Sequence, residues 1–248
     1  MRPGLGTLLV LAMAVTPAQA ARVETLVGYA YARASGEPIY EEHHRFVYDG
    51  AVLIEHRVDY RRPDGTPLAT KTLDYRTSRY APAFRLADAR DGYVEGAEYV
   101  DGSYRLFRRS SQRAAEESKR LPASPDLVAD AGFDQYLRDH LQNLLRMGKA
   151  EIRFAVAGRL DAFAFRAVVL ERTRLFGSDA VKLRVEPDSW LRWLVKPIDL
   201  TYDLRDGRLL RYEGLSNIRS ETGELYDARI DFPDPPVVRG DDAAAASP

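Results

Sequence analysis

The stretch IYEEHHRFVYDGAVLIEHRVDY, residues 39–60, holds three of the chain's four histidines. Imidazole beside carboxylate is the pairing from which zinc sites and proton relays are made. Asp49-Gly50 lies between two alternating runs, the strongest short-range signal for a hairpin. A two-residue turn there predicts strands over 38–48 and 51–61, with Tyr48 opposite Ala51. His43 then falls opposite His56, Arg45 opposite Ile54 and Glu41 opposite Val58, while on the other face His44 meets Glu55 and Glu42 meets Arg57. Opposed side chains sit about 5 Å apart at Cβ. Glu41, His43, Arg45 and His56 would thus interrupt an apolar face built from Ile39, Val47, Val52, Ile54, Val58 and Tyr60.

That interruption has three readings, in falling order of preference. The first is a structural polar network. The second is a patch that meets the polar group of a ligand inside an apolar cavity. The third is a zinc site, which Arg45 disfavours by placing a cation beside it; no metal is expected. A three-residue loop with a bulge would move every pairing and separate His43 from His56.

A second concentration of chemistry is DSWLRWLVKP, residues 188–197, which carries both tryptophans, Trp190 and Trp193. It reads as a plug closing one end of a sheet or as an amphipathic lip that touches lipid or a partner, since aromatic side chains favour such boundaries. The candidate ligand-binding set is therefore Glu41, His43, Arg45, His56, Trp190 and Trp193. No catalytic residue stands out. There is no G-x-S-x-G elbow, GLSN at 214–217 being different; no H-E-x-x-H, no phosphate-binding glycine loop and no cysteine nucleophile occur either. No cofactor is expected.

The elements that must position these residues are mostly strands. Asp-Gly recurs at 49–50, 64–65, 91–92, 101–102 and 206–207, with Thr-Gly at 222–223. Between these turns the apolar residues alternate: Val181, Leu183 and Val185; Ile198, Leu200, Tyr202 and Leu204; Tyr226, Ala228, Ile230 and Phe232. Period two with polar residues between predicts antiparallel strands with one wet face, so that Asp199, Thr201 and Asp203 point outward. One segment breaks the pattern. Phe133, Tyr136, Leu137, His140, Leu141, Leu144 and Leu145 recur at three and four, which predicts a helix near 131–147 with Asp130 or Ser124 as N-cap and Gly148 as C-cap. His140 on that stripe is expected to be packed and satisfied. Residues 119–126 read as a linker into the helix, FRRSSQR at 107–113 as a solvated loop, and 237–248 as a disordered tail.

Composition bounds the rest. The 248 residues are 45% hydrophobic and 29% charged, enough to bury one large core. A net charge of −1 makes no field for nucleic acid. Arg2, the apolar run 5–15 and Ala18-Gln19-Ala20 form a secretory leader pattern, which predicts cleavage between Ala20 and Ala21 and a periplasmic protein. With no cysteine there is no lipidated N-terminus, disulfide or thiolate metal site. A sheet of this many strands must curl to cover its apolar face. The expectation is a mainly β fold over 21–236: one large curved antiparallel sheet, a half-open barrel, packed around one central helix.

A leader, a long antiparallel sheet and a helix on its concave face resemble the periplasmic lipoprotein-carrier family. PIDLTYDLRDGRLLRYEGLSNI, residues 197–218, is similar to uncharacterised periplasmic β-sheet proteins of proteobacteria. The resemblance is one of architecture and carries no functional residue over. It implies a half-open barrel with an apolar cavity for acyl chains. The leading reading is a non-enzymatic protein that binds a lipid-like ligand inside the curved sheet, with peripheral membrane contact through the Trp190–Trp193 lip. The alternatives are an envelope interaction protein with a filled core and a metal-dependent hydrolase built on the histidine hairpin.

Overall fold

The computed structural model describes residues 21–188 and 196–239. The expected leader at 1–20, Trp190, Trp193 and the expected tail from 240 onward lie outside the described residues. Among the described residues sixteen strands form one sheet. β1 (Arg22–Ala32), β2 (Pro38–Asp49), β3 (Val52–Arg61), β4 (Pro67–Asp74), β5 (Ala83–Asp88), β6 (Val94–Val100), β7 (Ser103–Arg109) and β8 (Glu117–Pro122) make a first meander. After β9 (Leu127–Ala129) and the helix α1 (Gly132–Met147), a second meander runs through β10 (Lys149–Val156), β11 (Asp161–Leu175), β12 (Ser178–Pro187), β13 (Ile198–Asp203), β14 (Leu209–Arg219) and β15 (Leu225–Asp231). β15 pairs with β1, so the first strand of the chain lies mid-sheet and joins the two meanders. Pairing is antiparallel except between β9 and β10.

The six expected turns all form, and Gly50, Gly65, Gly92, Gly102, Gly207 and Gly223 take positive φ. Three expectations about element bounds need correcting. Residues 119–126 are not all linker, since β8 extends to Pro122; its exposed, hydrophilic pattern is that of an edge strand kept unattractive to other chains. Phe107, Arg108 and Arg109 belong to β7, not to a loop. Val237–Arg239 form β16, paired with Val23–Thr25 of β1, rather than starting a tail.

The sheet curls until its two ends meet. Lys119 of β8 bonds Asp161 of β11 at 2.6 Å, and Arg108 of β7 donates to the carbonyl of Gly158 at 2.7 Å, in the 3₁₀ turn Ala157–Arg159. Leu121, Leu127, Ala155 and Ala157 pack with Leu106 and Tyr104 beneath this seam.

Helix α1 fills one half of the concave face. Leu137, Leu141 and Leu144 are buried against Ile152, Val181, Leu183 and Leu200. Gly148 caps its C-terminus in the left-handed conformation, its N–H reaching the Leu144 carbonyl at 2.8 Å. The N-cap is Ala131, which has no polar side chain to bond; Asp130, one residue earlier, accepts from the Ala131 N–H and from Lys71 instead. His140 is half-buried, bonded to the Tyr136 carbonyl at 2.8 Å and stacked on the Tyr136 ring. Val181, Leu183 and Val185 point inward as their spacing predicts. Asp199, Thr201 and Asp203 are buried rather than wet, because longer basic side chains cover the convex face. Arg184 and Lys182 reach over Asp199 at 2.7 and 3.3 Å.

Candidate functional site

The β2–β3 hairpin turns at Gly50-Ala51, with Asp49 opposite Val52 and Tyr48 opposite Leu53. Moving the turn by one residue leaves the faces of both strands as predicted. A bulge between Val47 and Tyr48 then reverses them, so that Phe46 opposes His56, His44 opposes Val58 and His43 opposes Asp59. The expected pairing of His43 with His56 is therefore corrected, as is that of His44 with Glu55. Glu41, His43 and Arg45 lie on the convex face, where His43 bonds Glu41 at 2.8 Å and Arg45 stands beside Arg57. His56 faces inward, and its imidazole partner is His44. The four hairpin candidates are not brought together.

The concave face carries a different set. Glu42, His44, Phe46 and Tyr48 of β2 share it with His56, Val58 and Tyr60 of β3. Beyond the helix-filled half, the sheet leaves a cavity of about 490 Å³. Leu26, Phe84, Phe133, Phe154, Leu200, Leu209, Tyr212, Ile230 and Phe232 supply its apolar wall. Arg138, Asp206, Leu215 and Asn217 line it while exposed, and mark where it meets solvent. Gly28 matters to this wall: a Cβ there would stand 2.4 Å from the Phe232 ring, so only glycine lets that ring lie against β1.

Two polar groups break the apolar wall. In the first, Glu42 bonds His44 Nε2 at 3.1 Å, and His44 Nδ1 meets His56 Nε2 at 2.9 Å. His44 Nε2 donates to the Glu42 carboxylate, and a proton on either His44 Nδ1 or His56 Nε2 completes the imidazole–imidazole bond. Phe46 stacks on His56 with centroids 4.2 Å apart, and Phe232 meets His44 edge-on. Burial, reinforced by His44 and Lys71, holds the His56 pKa well below its ordinary value.

In the second group Lys71 of β4 bonds Asp130 at 2.8 Å, and each side chain is only 7% exposed. Asp130, at φ 43°, also accepts from the Ala131 N–H at 2.7 Å and from Asn217 at 3.4 Å, tying β4, β14 and the helix start together. Burial works against the Lys71 charge, but Asp130, with Glu42 and Glu95, outweighs it and raises the pKa. Glu95 of β6 lies beneath the 3₁₀ turn and accepts from the Tyr93 hydroxyl at 2.7 Å. Burial pushes its carboxyl above the usual range, as it does that of Asp134, which accepts from Tyr202 at 3.1 Å.

The hairpin reading missed Glu42, Lys71, Glu95, Asp130 and Asp134. For Glu42 and Lys71 there was a signal. Each occupies the inward phase of a strand, Lys71 between Ala69 and Leu73, and Glu42 between Tyr40 and Phe46 two steps on. A charge at an apolar phase marks a buried partner or a cavity. Among the described residues no cluster of three or more His, Asp or Glu side chains is arranged to hold a metal ion.

No family model and no curated protein matches this chain. Among solved structures, a beta-barrel-like protein of the domain of unknown function DUF1849 from Brucella abortus is similar over 85% of this chain and 94% of its own, with a TM-score of 0.50 and 9% identity. A putative outer membrane lipoprotein-sorting protein domain from Vibrio parahaemolyticus aligns over 90% of this chain and 86% of its own, with a TM-score of 0.25 and 9% identity. Both come from proteobacteria, and the Brucella likeness identifies the fold as a curled, barrel-like antiparallel sheet.

Proposed function

We propose that this chain is a non-enzymatic exported protein that binds a lipid-like, amphipathic ligand inside its curled sheet, in the periplasm. One observation carries the reading: a cavity of about 490 Å³ with an apolar wall and a polar end, in the size range of small-molecule sites. An acyl or other apolar chain would lie along Phe84, Phe154, Leu200, Leu209, Ile230 and Phe232, exchanging water for hydrocarbon at about 25 cal/mol per Å². A polar group would sit among Glu42, Lys71 and Glu95. The Trp190–Trp193 segment is the proposed place of contact with a membrane surface.

A neutral fluorescent probe, N-phenyl-1-naphthylamine, tests the pocket. Saturable enhancement of its emission is expected with the parent chain. Leu209→Trp, which fills the cavity from a half-buried position, should abolish it while unfolding stays cooperative. No saturable enhancement with the parent, or the same enhancement in the filled variant, would overturn the reading.

A further inference from the structure

On the convex face one line of directly opposed residues crosses the first meander: Arg45 of β2, Arg57 of β3, Thr72 of β4, Arg85 of β5 and Gly96 of β6. The line holds three guanidiniums and no carboxylate. Like charges directly opposed across two strands, as Arg45 and Arg57 are, destabilise a sheet. Acids stand in the neighbouring lines, but each is already committed. Asp59 takes Arg57 through Nε and Nη2 at 3.0 and 2.7 Å. Glu55 and Asp74 both take Arg76, and Glu98 takes Arg105 at 2.5 Å. Arg45 and Arg85 are exposed and make no ion pair among the described residues.

A second observation is the shape of the surface at this line. Arg45, Arg57 and Arg85 border one groove of about 500 Å³, whose other side is formed by Glu55, Asp74 and Glu98. Phe107 borders it at the β7 side. Its ring covers Gly96, where a Cβ would stand 2.6 Å from the ring.

We propose that this groove is an anion site, separate from the cavity inside the sheet, and that it takes a phosphoryl group. A guanidinium has five donors in a planar fork and no acceptor, and the fork matches two oxygens of a phosphoryl group. Arg45 and Arg85 bring their forks from the two ends of the line, Arg57 keeps Nη1 free of Asp59, and the Thr72 hydroxyl lies between them as a further donor. A cation would meet three guanidiniums and no uncommitted carboxylate. Three strand spacings of about 4.8 Å set the backbones of Arg45 and Arg85 roughly 14 Å apart. A diphosphate, with oxygens at both ends, spans such a line better than one phosphate does. Two carriers offer this chemistry, a soluble diphosphate ester and the head of an anionic lipid.

Calorimetric titration of the full chain with pyrophosphate and with orthophosphate tests the site. Saturable binding of pyrophosphate is expected, at least about fivefold tighter than that of orthophosphate. Arg45→Gln and Arg85→Gln should each weaken it at least about tenfold, a difference of about 1.4 kcal/mol. Arg172→Gln, which removes an exposed cation from β11, should change it less than about twofold. Leu209→Trp should bind pyrophosphate as the parent does, so that the groove and the inner cavity stand or fall separately. Sedimentation with phosphatidylglycerol and phosphatidylcholine vesicles distinguishes the carriers. Binding to phosphatidylglycerol alone, released by pyrophosphate, assigns the site to a lipid head. Vesicle binding that pyrophosphate leaves in place, or none, assigns it to a soluble ester. Absence of saturable pyrophosphate binding, or losses in Arg45→Gln and Arg85→Gln no larger than in Arg172→Gln, would overturn the proposal.

Discussion

The helix-filled half of the sheet and the cavity half follow the same alternation and bury opposite chemistries. Under the helix, Leu137, Leu141 and Leu144 pack with Val181, Leu183 and Leu200 in one buried apolar cluster. Across the cavity, the same inward phase of β2, β3, β4 and β6 presents Glu42, His44, His56, Lys71 and Glu95. Replacing buried ionic groups by apolar ones is often neutral or stabilising. A sheet selected for stability alone would therefore continue the leucine pattern. Local departures from it are expected where function is carried.

That contrast can be broken most severely at the Lys71–Asp130 pair. Lys71→Met should lower stability by about 3–5 kcal/mol, because it strands a buried carboxylate. Adding Asp130→Asn should recover most of the loss. Urea unfolding measures both, and a loss below about 0.5 kcal/mol, a surface value, would mean that water already screens the pair. In the helix-filled half, Leu144→Ala should cost about 2–5 kcal/mol by the cavity it opens. The same experiment checks it.

The third effect is a slope. Burial keeps His56 neutral in the fold, so the unfolded chain binds more protons below about pH 6.5. Acidification should then reduce stability through the window between the ordinary pKa and the depressed one, by up to about 1.4 kcal/mol per pH unit. Glu95 and Asp134, held above the carboxylate range, act in the opposite sense as pH rises past about 4.5. Comparison with His56→Gln isolates the histidine, and the loss between pH 7 and pH 5 should be smaller in the variant. An equal loss would remove His56 from the account. The smallest effect is expected on the convex face, where His43→Ala should change stability by no more than about 0.5 kcal/mol and leave probe binding unaltered.

Much of the fold was legible because turns and periods are local. Five Asp-Gly dipeptides and one Thr-Gly marked six hairpins, and the spacing from Phe133 to Leu145 placed the helix to within a residue at its start. The Phe176-Gly177 turn went unread, since phenylalanine gives no hint that it will take φ 49°. The candidate site was less legible for a physical reason. Face assignment in a strand depends on counting by twos, and one bulge at Val47/Tyr48 moved His43 outside and His44 inside. The groups that define the polar end, Lys71 with Asp130, Glu42 with His44 and His56, and Glu95, lie on different strands or at the helix start. No spacing rule along one strand joins them; the curl of the sheet does.

Native mass spectrometry of the full chain, expressed in a Gram-negative host and purified without detergent, tests the central claim most directly. The account predicts a discrete adduct of lipid-like mass on the parent chain, released by organic solvent and missing from Leu209→Trp. A parent that flies bare, or an adduct retained at equal occupancy in the filled variant, would contradict it.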